Sequence, residues 1–286
     1  MNTFRPDRIH SPPAQNAHRL GLWFQAIYGS CDQRDCELRL VCFHHAGGCT
    51  QFFRGWSAHM PLGVQVVAVE LPGRGRRLRE TGVPSIAELA ERIAEAWVPE
   101  LGATIPFVTL GHSMGGLLSL EVLLRLATRG LVPRLVGISA LGAPGFRSQE
   151  QRLSLASDAE IIAQIRDLGG TPAAVLADRD FMASVCERLR MDYHAIETFR
   201  PTPWTPLNSP LAVVGGAQDP LVSRMALDAW WCHAGERFYR RDFPGGHFFL
   251  KERAAEVLEW LMGIARSGPG TEGDRSGTAT NSLRLE

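Results

Sequence analysis

Short apolar runs recur along this chain, and longer stretches with helical periodicity separate them. The runs Leu38–Phe43, Val64–Val69, Phe107–Leu110, Leu135–Ser139, Leu211–Val214 and Phe238–Phe243 read as strands. Helices are expected over Ser85–Trp97, Gly115–Arg129, Arg224–His233 and Phe249–Ile264. The last of these sets Leu250, Ala254, Val257, Leu258 and Leu261 on one face. The helix at Gly115–Arg129 is apolar almost all round, as a central helix packed behind a sheet should be. Alternation of this kind predicts an α/β fold with a mostly parallel sheet and helices on both faces.

One region breaks the alternation. From Arg147 to Phe199 the pattern is helical without a strand. Ser157 with Glu160 three residues on forms a capping box ahead of Ile161, Ile162, Ile165 and Leu168. Gly169-Gly170 ends that helix, Thr171-Pro172 opens a second, and a third is expected from Asp178 to Ile196. A helical insertion over 147–199, between two sheet strands, has the layout of a lid. A purely structural insertion is the alternative.

Composition changes this picture little. With 286 residues, 45% hydrophobic and 21% charged, the chain suits one α/β domain, taken as residues 21–266. Residues 1–20 are expected to be a flexible lead and 267–286, rich in Gly, Ser and Thr, a disordered tail. Thirty basic residues balance thirty acidic ones, so charge points to neither nucleic acid nor an anionic membrane. No apolar stretch reaches membrane-spanning length and residues 1–30 lack a signal-like segment, so a cytoplasmic location is expected. Six cysteines are too few for a disulfide scaffold, and Cys31 and Cys36 lack a second ligand pair, so no metal is expected. Nothing demands more than a monomer.

The chemistry concentrates at Gly111-His112-Ser113-Met114-Gly115, between a strand and a helix. A serine between two glycines at a strand-to-helix reversal has the form of a nucleophile elbow, whose tight turn projects the hydroxyl from the sheet edge. Serine needs a base to take its proton, and a carboxylate to orient that base. The order Ser, acid, His along the chain is that of α/β-hydrolases. Asp219 follows the strand Leu211–Val214 in a loop at its carboxyl end, where such sheets gather functional groups. His247, preceded by Gly245 and Gly246, leaves the strand ending at Phe243. Asp228 and Asp242 read as surface groups and Asp192 lies in the insertion, which leaves Asp219 as the favoured acid. Among the other histidines, His10 and His18 fall in the lead, His59, His194 and His233 on helices, and His112 packs the elbow. Oxyanion donors are expected from the backbone N–H of Met114 and from His45 or Ala46 in the loop Phe43-His44-His45-Ala46-Gly47-Gly48. Adjacent His44 and His45 are poorly placed to share a metal.

These segments resemble the type II thioesterases, stand-alone editing enzymes of polyketide and nonribosomal peptide assembly lines. The resemblance runs through Val41–Gly48, Leu71-Pro72-Gly73-Arg74, Gly111–Gly116, Gly215-Gly216-Ala217-Gln218-Asp219 and Gly245–Leu250, spanning residues 36 to 265. Leu168-Gly169-Gly170-Thr171-Pro172 and Asp192–Glu197 share it. His44 departs from it, since the family usually has proline there. The resemblance implies an α/β-hydrolase fold and hydrolysis of acyl or aminoacyl thioesters from the phosphopantetheine arm of a carrier protein. That arm belongs to the substrate, so the enzyme itself needs no cofactor. The implied partners are acyl or peptidyl carrier domains. The arginines of Leu71–Arg77 are open to two readings, a contact for an acidic carrier surface or a solvated loop. A carboxylesterase or lipase, an acyltransferase or cyclase using the same acyl-serine, and a non-catalytic carrier-binding protein are the competing functions.

Overall fold

The computed structural model describes residues 20–267 except 30, 32, 147–151, 170, 201–207 and 236. Residues 1–19 of the expected lead, residues 268–286 of the expected tail and the start of the insertion at Arg147 therefore lie outside the described residues.

Seven strands form one sheet: β1 Phe24–Ala26, β2 Leu38–Phe43, β3 Val64–Val69, β4 Phe107–His112, β5 Leu135–Ser139, β6 Leu211–Gly216 and β7 Phe238–Phe243. Their order across the sheet is β1-β3-β2-β4-β5-β6-β7. The β1 strand runs antiparallel to β3, and the remaining neighbours are parallel. Strands β2 to β6 are buried on both faces, which explains their near-continuous apolar sequences.

Alternate residues of each strand feed two cores. Val41, Phe43, Val67, Val69, Val136 and Ile138 pack on one face against helices α1 Ile86–Leu101 and α2 Met114–Ala127, with Leu227 of α6 Arg224–Asp228. Leu38, Leu40, Cys42, Val108, Ala212 and Val214 pack on the other against α7 Leu250–Arg266 and the short turns carrying Phe53 and Trp56. Between β5 and β6 lie α3 Asp158–Leu168, α4 Ala173–Leu176 and α5 Arg179–Thr198, so the expected helical segment is there. Ser157 caps α3 through the reciprocal box with Glu160.

Three details differ from the pattern reading. Helix α1 runs past Pro99 to Leu101, where the sequence suggested a stop at Trp97. Burial of Leu101 and a hydrogen bond from the Arg39 guanidinium to its carbonyl hold that extra turn. The extension places Glu100 so that its carboxylate accepts from the backbone N–H groups of Leu22, Trp23 and Phe24 at 3.0, 3.0 and 3.1 Å. This anchors β1, a three-residue edge strand that carries no periodic signal of its own. The stretch expected as one helix at Arg224–His233 is α-helical to Asp228 and tightens to a 3₁₀ turn over Ala229–His233.

Candidate active site

Four loops meet above the carboxyl ends of β2, β4, β6 and β7, the edge where parallel α/β sheets present their ligands. The β4 strand ends directly in Ser113, whose φ of 54° and ψ of −119° lie outside the ordinary L-residue regions. Such strain costs on the order of 1–3 kcal/mol and persists where the surroundings over-determine it. They do so here. Ser113 N–H donates to the carbonyl of Ser139 at 2.8 Å, and the flanking glycines are sterically required. A Cβ on Gly111 would lie 2.3 Å from the Gly115 carbonyl oxygen, and one on Gly115 would lie 2.1 Å from that of Phe43. The turn therefore closes only with glycine at both positions, and Met114 begins α2 with its N–H at the helix start.

The loops bearing Asp219 and His247 are stitched together. Ala217 N–H donates to the Phe243 carbonyl (2.8 Å), Gln218 N–H to that of Gly245 (2.9 Å), and Gly245 N–H to the Gln218 side-chain oxygen (2.6 Å). Gly216 permits the crossing, because a Cβ there would sit 2.2 Å from the Gly246 carbonyl oxygen. Within this frame His247 Nδ1–H donates to Asp219 Oδ2 at 2.8 Å, both side chains being almost wholly buried. The other carboxylate oxygen accepts the Leu221 N–H at 2.9 Å, so Asp219 is held at both oxygens. A carboxylate on Nδ1 leaves Nε2 as the basic nitrogen of a neutral imidazole. The His247 ring centroid lies 5.3 Å from that of His112, the residue preceding Ser113, which brings the imidazole to the elbow.

His112 itself is buried, hydrogen-bonded through Nδ1 to Ser139 Oγ at 2.9 Å and stacked on Phe52 at 5.5 Å. The His45 ring is wedged between Phe52 and Phe248, at 4.7 and 4.8 Å, and thereby joins the loop after β2 to the loop of His247. Burial holds the His45 and His112 imidazoles well below the usual histidine range. Burial, aided by the Arg74 charge, pushes His44 down to about 3. His44 Nδ1–H donates to the His45 carbonyl at 2.9 Å, which ties the loop locally.

In that loop Gly48 N–H donates to the His45 carbonyl at 3.0 Å and Gly47 N–H to Asp192 Oδ2 at 2.6 Å. Both glycine amides are thus engaged within the protein. Asp192 belongs to α5 and also receives Arg74 at 2.7 and 2.8 Å, the two side chains each 3% exposed. The sequence had singled out both residues without giving either this task; their only signal was membership of the shared segments. Arg77 is buried as well, over the Trp23 ring at 4.0 Å and paired with Glu80 at 2.6 Å. With Arg74 and Arg77 turned inward, Arg76 is the arginine of the Leu71–Arg77 loop that stays exposed, so the loop does not present a row of three outward charges. Asp228 and Asp242 sit apart, around Arg240 at 3.1 and 2.6 Å. All six cysteines are free thiols, and among the described residues no group of three or more His, Cys, Asp or Glu is arranged to hold a metal.

Comparison with known proteins agrees with this architecture. A family model for the thioesterase domain matches residues 38–264. The chain is 38% identical over 220 residues to a probable cadicidin biosynthesis thioesterase of Streptomyces griseus, covering 77% of this chain but only 60% of that protein. It is 33% identical over 226 residues to the gramicidin S biosynthesis protein GrsT of Aneurinibacillus migulanus, covering 79% and 88% of the two chains. Among solved structures, the RedJ thioesterase from the prodiginine pathway of Streptomyces coelicolor superposes with a TM-score of 0.76 at 35% identity, over 82% of this chain and 87% of that one. The type II thioesterase BorB from the borrelidin biosynthetic cluster gives a TM-score of 0.76 at 30% identity, over 85% and 98%. The chain belongs to the thioesterase family, as a type II thioesterase of the α/β-hydrolase fold.

Proposed function

We propose that this enzyme removes acyl or aminoacyl groups from the phosphopantetheine arms of carrier proteins, and so clears stalled polyketide or nonribosomal peptide assembly lines. Ser113 is the nucleophile, His247 the base and Asp219 the group that orients it. The observation that carries the reading is the 2.8 Å hydrogen bond from His247 Nδ1 to buried Asp219, set beside the strained elbow at Ser113.

In this scheme Ser113 Oγ attacks the thioester carbonyl while His247 Nε2 takes its proton. The carbonyl oxygen becomes an oxyanion that accepts from the backbone N–H of Met114 and of Ala46 or His45. Collapse expels the pantetheine thiolate, which takes the proton from the imidazolium and leaves an acyl-serine. A water deprotonated by His247 then attacks the acyl-serine; the released acid leaves and Ser113 recovers its proton. Protein groups and water suffice for every step. Helices α3 to α5 serve as the lid over the acyl group, and the enzyme acts in the cytoplasm as a monomer beside its carrier domains.

The relatives named for cadicidin and gramicidin S biosynthesis support the carrier-bound substrate over a free ester. The test compares acyl carrier proteins with p-nitrophenyl esters of equal acyl length, with mass spectrometry of the products. A kcat/KM clearly higher for the carrier substrate, with free acid as product, is expected. Preference for the free ester would make the enzyme a carboxylesterase, and a macrocycle or transferred ester would make it a cyclase or acyltransferase.

A further inference from the structure

We infer that Asp192, on helix α5 of the insertion, is the positioning residue of the oxyanion loop, and that Arg74 locks it in place. The inference rests on the serine-hydrolase reading of the site but not on the carrier-bound substrate.

Asp192 lies 145 positions from Gly47 in sequence, yet its Oδ2 accepts the Gly47 N–H at 2.6 Å. The same oxygen receives Arg74 Nη1 at 2.7 Å, and Oδ1 receives Nη2 at 2.8 Å. This is a bidentate pair buried at both ends, and Arg74 Nη1 also reaches the Gly48 carbonyl at 3.4 Å. One planar arginine therefore holds the carboxylate, and carboxylate and arginine together hold the two glycines that follow Ala46. A planar fork fixes the direction of its partner as well as its distance. The packing points the same way. Leu189, one turn before Asp192, lies against Gly47, where an added Cβ would come within 2.7 Å of it. Ala46 joins the small core of Ile161, Cys186 and Leu189.

Gly47 has a φ of 72° and its amide is turned to Asp192. Rotation of the peptide units on either side of Ala46 is thereby restricted, and the His45 and Ala46 amides are pre-aimed. Preorganised donors are what make an oxyanion site effective, since they need no reorganisation during reaction. Helix α5 is thus part of the catalytic frame as well as of the cover over the acyl group.

Removing Asp192 alone would leave Arg74 buried and unpaired, with a risk of unfolding. Two double variants avoid this. Asp192→Asn/Arg74→Met keeps an oxygen acceptor for Gly47 N–H; Asp192→Leu/Arg74→Met removes it at similar volume. Both are compared with wild type on an N-acetylcysteamine thioester, with active sites counted by burst amplitude. Affinity for a trifluoromethyl ketone analogue, which forms a tetrahedral oxyanion on the serine, is measured in parallel. The leucine double variant should lose about 10- to 100-fold in kcat per active site with KM changed less than about 3-fold, and analogue affinity should fall in parallel. The asparagine double variant should exceed the leucine variant by about 3- to 10-fold in both, and the shortfall from wild type is the loss of the Arg74 lock. Equal behaviour of the two variants, or loss of kcat without loss of analogue affinity, would overturn the inference. Ser113→Ala run alongside separates its failure from that of the underlying reading, which fails if that variant retains turnover.

Discussion

At the scale of single residues, the site rests on a few positions where one atom more or less changes the outcome. Ser113→Ala removes the only hydroxyl at the elbow and should lower kcat/KM by about 10⁴-fold or more without loss of fold. Asp219→Asn should cost a similar factor, because an amide NH₂ facing Nδ1 favours the wrong imidazole tautomer; steady-state kinetics on any thioester substrate reads both. The glycines are equally exacting. Gly115→Ala sets a Cβ 2.1 Å from the Phe43 carbonyl oxygen, a backbone atom that cannot step aside. A cost of about 3 kcal/mol or more is expected, ~6–12 °C in Tm for a chain of this size, measurable by calorimetry. Much of this was legible, because the elbow, the acid loop and the base loop each follow a strand and carry glycines where backbones cross. Asp192 was not. Its task depends on a contact with Gly47 that no local pattern encodes, and a carboxylate in the middle of a helix reads by default as a surface group.

At the scale of elements, what could be read depended on whether local pattern and tertiary burial agreed. Strands β2 to β6 announce themselves because burial on both faces demands continuous apolar runs. The β1 strand does not, since it is three residues long and is anchored at its start by the Glu100 carboxylate, which accepts from the amides of Leu22, Trp23 and Phe24, rather than by strong strand propensity. The helix expected to stop at Trp97 continues through Pro99 because Leu101 is buried. In the insertion, the capping box at Ser157 was read and found. Ser157→Ala should therefore loosen the start of α3 by about 1 kcal/mol, seen as faster amide exchange in α3 ahead of global unfolding. Because α5 carries Asp192 and packs Leu189 against Gly47, it should stay protected in the same measurement.

At the scale of the whole molecule, two buried cores sandwich the sheet, and the polar chemistry is gathered at one edge of it. Three imidazoles, those of buried His44 and His112 and half-buried His45, stand there with their protonation opposed by desolvation. Each binds a proton more weakly folded than unfolded, so their stabilising contribution is complete above pH 6.5. It declines as pH falls below that value, and for His44 continues to decline down to about pH 3. Each such group adds up to about 1.4 kcal/mol per pH unit to the slope in that window. Urea unfolding should show stability dropping from pH 6.5 to 4.5, and His44→Asn should reduce the slope by about one proton. An unchanged slope in that variant would mean that His44 is not held neutral.

The thioesterase family and the fold make this chain a thioester hydrolase, and its proposed chemistry turns on Ser113. The most direct measurement mixes the enzyme with an acylated carrier protein in a single turnover, quenches rapidly and weighs the protein and its peptides. A transient gain of the acyl mass is expected on the peptide containing Ser113, decaying as free acid appears, and neither event with Ser113→Ala. Release of acid by Ser113→Ala at close to the wild-type rate, with no acyl group on that peptide at any time, would contradict this chemistry.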